Sequence, residues 1–158
     1  MRALPLSACM LAWAVALHAQ AAQPASATTT HRKHTLTWGP APAVLPNGAK
    51  MAVVKGDPSK AGPFTVELSF PDGYKVPPHY HPTAETITVK KGTFMVGMGD
   101  SLNLSKTKTL KPGQKATMAA EHHHYAAAKG ATVVSVSSQG PFALTYVNPA
   151  DDPQKANQ

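Results

Sequence analysis

Hydrophobic and polar residues alternate in short runs over most of the chain. A period of two with many β-branched and aromatic residues is typical of strands with one buried face. The runs comprise Met51 to Lys55; Phe64, Val66, Leu68 and Phe70; Ile87 and Val89; Phe94, Val96 and Met98; Val134 and Val136; and Phe142, Leu144 and Tyr146. No window of 12 or more residues after residue 21 has an apolar stripe at helical spacing. The pattern therefore predicts an all-β domain.

Pairs that contain glycine or proline separate these runs, among them Asn47-Gly48, Asp72-Gly73, Lys91-Gly92, Pro112-Gly113 and Gly140-Pro141. Such pairs break helices and permit the positive φ of tight turns. Many short strands joined by frequent turns indicate a β-sandwich or a β-barrel. The length of 158 residues is enough for one domain with a hydrophobic core.

The first 21 residues have the three parts of a secretion signal in order. Arg2 gives a positive start, residues 11–17 (LAWAVAL) form an apolar run, and Ala19-Gln20-Ala21 matches a signal peptidase site. The apolar run is too short to span a bilayer. We predict a signal peptide over residues 1–21, a flexible leader over 22–33, the domain over 34–149 and a polar tail over 150–158. The mature protein is expected in the periplasm or outside the cell, without a membrane anchor.

Composition narrows the chemistry that the mature chain can use. Cys9 is the only cysteine and would leave with the signal, so a metal site must use histidine and carboxylate ligands. Without Arg2, 14 basic residues remain against 8 acidic ones. The lysines are scattered and few aromatic residues lie between them, which argues against a nucleic-acid-binding surface. We therefore expect no nucleic-acid partner.

The segment HYHPTAE, residues 79–85, carries candidate metal ligands. His79 and His81 share one face of a strand, because side chains at i and i+2 point the same way. Pro82 favours a bend after His81, which can return Glu85 toward the two imidazoles. Glu85 shares its face with apolar Ile87, where a carboxylate is costly unless it is paired or bound to a metal. The pattern predicts a metal site.

A second histidine group, His122-His123-His124, follows about 40 residues later. Only alternate members of a strand can face the same side, so His122 and His124 are candidate ligands and His123 should lie outside. Glu121 should point outward with His123. On parity alone, either His122 or His124 could complete the site.

The wider spacing of these residues resembles the first motif of the cupin superfamily. Gly73, His79, His81, Glu85 and Gly92 match the glycine, histidine, histidine, glutamate and glycine of that motif at every interval. The second cupin motif is matched only in part, by Gly113 and His124. This chain has Ala119 in place of the proline of that motif, Glu121 in place of its second glycine and Ala128 in place of its asparagine. The register of the motif makes His124 the fourth ligand, with His122 as the fallback. Glu121 is expected to strain its turn or to force a different turn.

The resemblance implies a double-stranded β-helix, the jelly-roll barrel of cupins, with a divalent metal inside. It implies that His79, His81, Glu85 and His124 hold Mn, Fe, Ni, Co, Cu or Zn, and the sequence does not select among these metals. A small-molecule substrate would then be acted on by a metal-dependent oxygenase, isomerase or lyase. The alternative is a non-catalytic periplasmic protein that binds metal or a small ligand. The resemblance also implies a homodimer. It defines neither the substrate nor whether the protein is an enzyme.

Overall fold

The computed structural model of the chain describes residues 35–155. The predicted signal peptide (1–21) and leader (22–33) lie outside the described residues, as do residues 156–158 of the predicted tail. No helical segment among residues 35–155 has the length and apolarity that a membrane span requires.

Nine strands and two short 3-10 helices make up the regular structure of residues 35–155. The strands are β1 (Gly39–Pro40), β2 (Lys50–Lys55), β3 (Gly62–Phe70), β4 (Lys75–Tyr80), β5 (Glu85–Met98), β6 (Lys108–Leu110), β7 (Lys115–Met118), β8 (His124–Gly140) and β9 (Thr145–Tyr146). The 3-10 helices are Leu104–Lys106 and Pro149–Asp151. The prediction of an all-β fold is confirmed for this part of the chain.

Strand β8 organises the sheet, and all strand pairings are antiparallel. Its first residues pair with β4, and its remaining length from Thr132 onward pairs with β3. Along its other edge β8 pairs with β5 over most of its length, and β5 in turn pairs with β6 and β7. The outer strands β1 and β2 extend the β3 side, and β9 extends the β4 side. The two long strands therefore belong to both halves of a curled sheet.

A sharp bend in β5 and β8 separates these two halves. Gly92 and Gly130 have φ values of 81° and 74°, in the left-handed region that favours glycine. Thr132, with no exposed surface, accepts a hydrogen bond from the Thr93 amide at 3.2 Å, and its hydroxyl is 3.1 Å from the Thr93 carbonyl. The register of β5 against β8 shifts on both sides of Lys91, as at a β-bulge. The bend is thus held by buried side-chain hydrogen bonding.

The core lies on the inner face of the curled sheet. Phe70 stacks on Tyr74 and Phe94, with ring centroids 4.8 and 5.8 Å away. Two buried tyrosines tie the irregular segment 41–48 to this core, because the Tyr74 hydroxyl donates to the Pro46 carbonyl and the Tyr146 hydroxyl donates to the Val44 carbonyl. The segment therefore becomes part of the barrel wall without forming a strand.

The structure differs from the strand pattern in three places. The runs at 87–89 and 94–98 form one strand, β5, because Lys91 and Gly92 make a bulge instead of a turn. Phe142 and Leu144 lie outside the strands, and only Thr145–Tyr146 pairs with β4. Met98, expected in the core, is 57% exposed at the end of β5.

The first residues of the predicted tail belong to the 3-10 helix Pro149–Asp151. The Asn148 side chain caps this helix, because it accepts a hydrogen bond from the Ala150 amide.

Candidate metal centre

Three strand ends bring the predicted ligands together. His79 lies near the end of β4, His81 follows that strand, Glu85 begins β5, and His124 begins β8. The register places His79 directly opposite His124. The short connection through Pro82 bends the chain, as predicted, and Glu85 lies beside the imidazoles.

The four side chains are buried and converge on one point. Each is 5% exposed or less, and each offers a ligand atom within 4.8 Å of those of the other three. The Glu85 Oε1 atom lies 3.0 Å from His124 Nε2 and 3.5 Å from His81 Nε2. The His79 ring centroid is 4.2 Å from that of His124 and 5.0 Å from that of His81. The structure thus brings together all four residues that the sequence predicted.

Backbone carbonyls fix the orientation of all three imidazoles. The Nδ1 partners are Pro77 O for His79 at 2.7 Å, Ala143 O for His81 at 2.7 Å and His122 O for His124 at 2.8 Å. A carbonyl oxygen only accepts, so each Nδ1 carries a proton and donates it. In a neutral imidazole the Nε2 lone pair is then free to bind a metal. Three such lone pairs and one carboxylate share the same small volume.

Burial favours a neutral His79, and the neighbouring histidines favour an ionised Glu85. Burial lowers the pKa of His79 to about 3, and the neighbouring His124 and His81 add to the effect. Burial alone would raise the pKa of Glu85, but the hydrogen bonds that His124 and His81 donate when they are protonated, and their positive charge in that form, outweigh it and lower this pKa to about 2. Glu85 is therefore a carboxylate at neutral pH.

The donor set fits a divalent metal ion. The 3.0 Å contact between Glu85 Oε1 and His124 Nε2 joins two electron-pair donors unless a proton or a cation lies between them. A proton there would create a buried imidazolium, whereas a metal ion would satisfy all four ligand atoms at once. Imidazole nitrogen and carboxylate oxygen are ordinary ligands of first-row transition metals.

The neighbouring histidines lie outside this cluster. His122 is exposed and contributes its carbonyl, so the fallback ligand is not one of the four converging residues. His123 donates from Nδ1 to Asp100 Oδ1 at 2.6 Å and stacks on Tyr80, with ring centroids 5.1 Å apart. The predicted outward position of His123 is confirmed.

Glu121 has an unusual backbone conformation next to the centre. Its φ is 61°, the one positive value for a non-glycine residue among residues 35–155. An L-residue in this region costs free energy that glycine does not. The Glu121 amide donates to the His81 carbonyl at 2.8 Å, which ties this turn to the ligand segment. The expected strain where cupins have glycine is thus present, and the side chain is exposed as predicted.

A cavity of about 260 Å³ adjoins the four residues. Its wall includes strand residues of the core and residues of two irregular segments. One segment contributes Pro42, Val44 and Leu45, and the other contributes Phe142 and Leu144. The sequence pattern did not identify the first segment, because its contacts with the barrel are long-range. Phe142 packs face to face on the His81 ring, with centroids 4.4 Å apart. The cluster therefore lies at the polar end of a cavity large enough for a small molecule.

No protein-family model matches the chain, and no curated protein matches it. Solved structures do match. A candidate acetylacetone dioxygenase from Methylibium petroleiphilum PM1 superposes with a TM-score of 0.56 at 22% identity, over 75% of this chain and 79% of that one. KdgF from Halomonas sp. gives 0.50 at 20% identity, over 70% and 90%.

A cupin superfamily protein from Desulfitobacterium hafniense DCB-2 gives a TM-score of 0.50 at 16% identity, over 59% of this chain and 78% of that one. Similarities at this level of identity concern the fold alone. The barrel of residues 35–155 therefore has the cupin fold, as the spacing from Gly73 to Gly92 predicted.

Proposed function

We propose that this protein is a secreted metal-binding cupin that acts on a small molecule as a metal-dependent enzyme. His79, His81, Glu85 and His124 would hold one divalent transition-metal ion. The observation that carries the proposal is the orientation of the three imidazoles, whose Nδ1 atoms donate to carbonyls while their Nε2 atoms approach one carboxylate.

The residues of the chain prepare the site in three ways. The Nδ1 hydrogen bonds hold the rings in one tautomer, which reduces the cost of ordering them when a metal binds. Burial of all four side chains excludes bulk water from the cluster. The adjoining cavity leaves room for a substrate beside the site. A bound ion would supply Lewis acidity or lower the pKa of a water molecule.

The cavity favours catalysis over simple metal storage, since a storage site needs no space for a second ligand. Oxygenase, isomerase and lyase chemistry all fit a site of this kind. A candidate acetylacetone dioxygenase has the same fold, so this fold is compatible with oxygenase chemistry. A non-catalytic protein that captures a small ligand is the second candidate function, because the same apolar cavity suits binding without reaction.

Elemental analysis of the purified mature protein tests the metal site. We expect about one transition-metal ion per chain, and its loss in His79→Gln and in His124→Gln. His122→Gln is the matched control, because His122 is exposed and outside the cluster, and it should retain the metal. Equal metal content in all these proteins would contradict the proposed ligand set.

Oxygen consumption then separates the enzyme from the binding protein. The metal-loaded protein would be tested with small diketones, phenols and thiols, and product analysis would detect isomerase or lyase reactions. Turnover that depends on the metal supports the enzyme. Ligand binding without turnover would support the second candidate.

The proposed secretion rests on the pattern of residues 1–21. Expression of the full chain in a Gram-negative host should give a periplasmic protein. Its intact mass should equal that of a chain that begins at Ala22. A cytoplasmic protein that retains residues 1–21 would contradict this proposal. The homodimer stays a prediction, which sedimentation velocity would test.

A further inference from the structure

The wall of the cavity is almost entirely apolar. Beyond the four clustered residues, the lining side chains are hydrophobic except that of Ser59. The Ser59 hydroxyl donates to Asp57 Oδ1 at 2.7 Å, so its hydrogen is not directed to a ligand. No lysine, arginine, asparagine, glutamine or tyrosine side chain of residues 35–155 lines this cavity. The polar side-chain contacts of a ligand must therefore come mainly from the cluster.

The charge of the cluster limits the charge of the ligand. With neutral imidazoles, a divalent ion and the Glu85 carboxylate leave a net charge of one positive unit. A monoanion neutralises this charge inside an apolar wall. A second negative charge would face hydrophobic side chains without a cation, and an unpaired charge in such surroundings is strongly unfavourable.

The cavity also limits the size and polarity of the ligand. Its volume of about 260 Å³ lies below the range of pockets for drug-sized ligands, which begins at about 300 Å³. Phe142 and Phe64 meet edge to face in the wall, with ring centroids 5.2 Å apart. A ligand that fills this space buries an apolar body there, and burial of that body contributes to affinity.

We infer that the site takes a small monoanion with one oxygen-bearing end and an apolar body, such as a short monocarboxylate or an enolate, and discriminates against dianions. This inference rests on the proposed function, because the ligand charge is set by the metal centre. It adds a substrate class that the four ligand residues alone do not define.

Pentanoate and glutarate provide a matched pair, because both have five carbons and glutarate has one more carboxylate. The wild-type protein loaded with Co²⁺ would be titrated with each anion at pH 7, with calorimetry and the visible absorption of Co²⁺ as readouts. We expect pentanoate to bind at least about tenfold more tightly, the factor that corresponds to about 1.4 kcal/mol. Free Co²⁺ should show no such preference, since the dianion attracts it more strongly.

A variant of the wall tests the cause of the preference. Met51 is a partly buried lining residue, and Met51→Lys adds a cation with a side chain of similar length. This variant should improve glutarate binding and reduce the preference at least about threefold, through attraction at short range in a poorly screened site. Met51→Leu is the control and should keep the wild-type preference.

The outcomes distinguish this inference from the proposed function. Failure of the wild-type protein to retain Co²⁺ overturns both. Retention of Co²⁺ with glutarate binding as tightly as pentanoate, or with neither anion binding, overturns the ligand class and leaves the metal site intact. The wild-type comparison decides the question even if Met51→Lys does not fold.

Discussion

His79 and His124 are register partners on β4 and β8, and their ring centroids lie 4.2 Å apart. This pairing spans 45 positions of sequence and closes the site across two strands. Each ring donates from Nδ1 to a carbonyl of its own strand or of the residues just before it, so each strand orients its own ligand. The site is therefore built largely by the sheet, before any metal binds.

Metal binding should stabilise the folded protein. A ligand that binds only the folded state adds about 2.7 kcal/mol at a concentration one hundred times its dissociation constant. Urea unfolding of the mature protein with and without added metal would measure this difference. In Glu85→Gln the negative charge of the cluster is lost, and the stabilisation should fall by more than half. An equal stabilisation in Glu85→Gln would show that the metal binds elsewhere.

Acid should destabilise the metal-free protein through His79. Its pKa is about 3 in the folded state and about 6.5 when unfolded, so the unfolded state binds more protons between these values. The stability is fully present above pH 6.5 and decreases as the pH falls toward 3, by at most about 1.4 kcal/mol per pH unit for one proton.

Urea unfolding between pH 5 and 6.5, with a chelator present, would test this. In His79→Gln the slope of the unfolding free energy against pH should be shallower. An unchanged slope in that variant would assign the acid sensitivity to other groups. The window lies above the pKa of Glu85 in both states, which is 4.5 in the unfolded chain, so Glu85 contributes little to the slope except near pH 5.

Replacement of Glu121 by glycine should stabilise the fold. The residue has a φ of 61°, which costs an L-residue about 1 to 2 kcal/mol, and glycine would relieve this strain. The greater freedom of glycine in the unfolded chain offsets part of the resulting gain in stability. We expect a net increase of about 0.5 to 1 kcal/mol in the free energy of unfolding. Glu121→Ala keeps the strained conformation, so it should show no comparable gain. A loss of stability in Glu121→Gly would indicate that the glutamate side chain itself stabilises the turn.

Addition of one methyl group at Gly97 should destabilise the protein. A Cβ atom there would overlap the ring of Tyr125, which is 1% exposed and donates from its hydroxyl to the Asn103 carbonyl. Overpacking of this kind costs about 1 to 3 kcal/mol. Gly39→Ala is the control, because no atom lies within 4 Å of its added Cβ, and its effect should stay within about 0.5 kcal/mol. Thermal unfolding of both variants would compare them, and equal stabilities would contradict the packing argument.

The sequence predicted the site better than the details of the strands. Parity along β4 and the proline after His81 are local properties, and they placed Glu85 beside the two histidines. The continuity of β5 was missed because Lys91-Gly92 looks the same in a turn and in a bulge. Both use a glycine with positive φ, and only pairing with β8 distinguishes them.

The cavity wall could not be predicted for a different reason. Segment 41–48 has no strand pattern of its own and is held by hydroxyls of Tyr74 and Tyr146, which are distant in sequence. Alternation alone gave Phe142 a place in the core, but did not show that its ring would lie against His81. Such long-range contacts follow from the assembled barrel.

The hydrogen bond between His81 Nδ1 and the Ala143 carbonyl couples the cavity wall to the ligand set. Phe142 and Leu144 flank that carbonyl and face the cavity, so a movement of this segment would also disturb the imidazole. By thermodynamic linkage, a molecule in the cavity that shifts this segment changes the affinity for the metal ion by the same factor by which the ion changes the affinity for that molecule. The affinity of the metal site and the affinity of the cavity are then coupled. A measurement of metal exchange would therefore report on binding in the cavity.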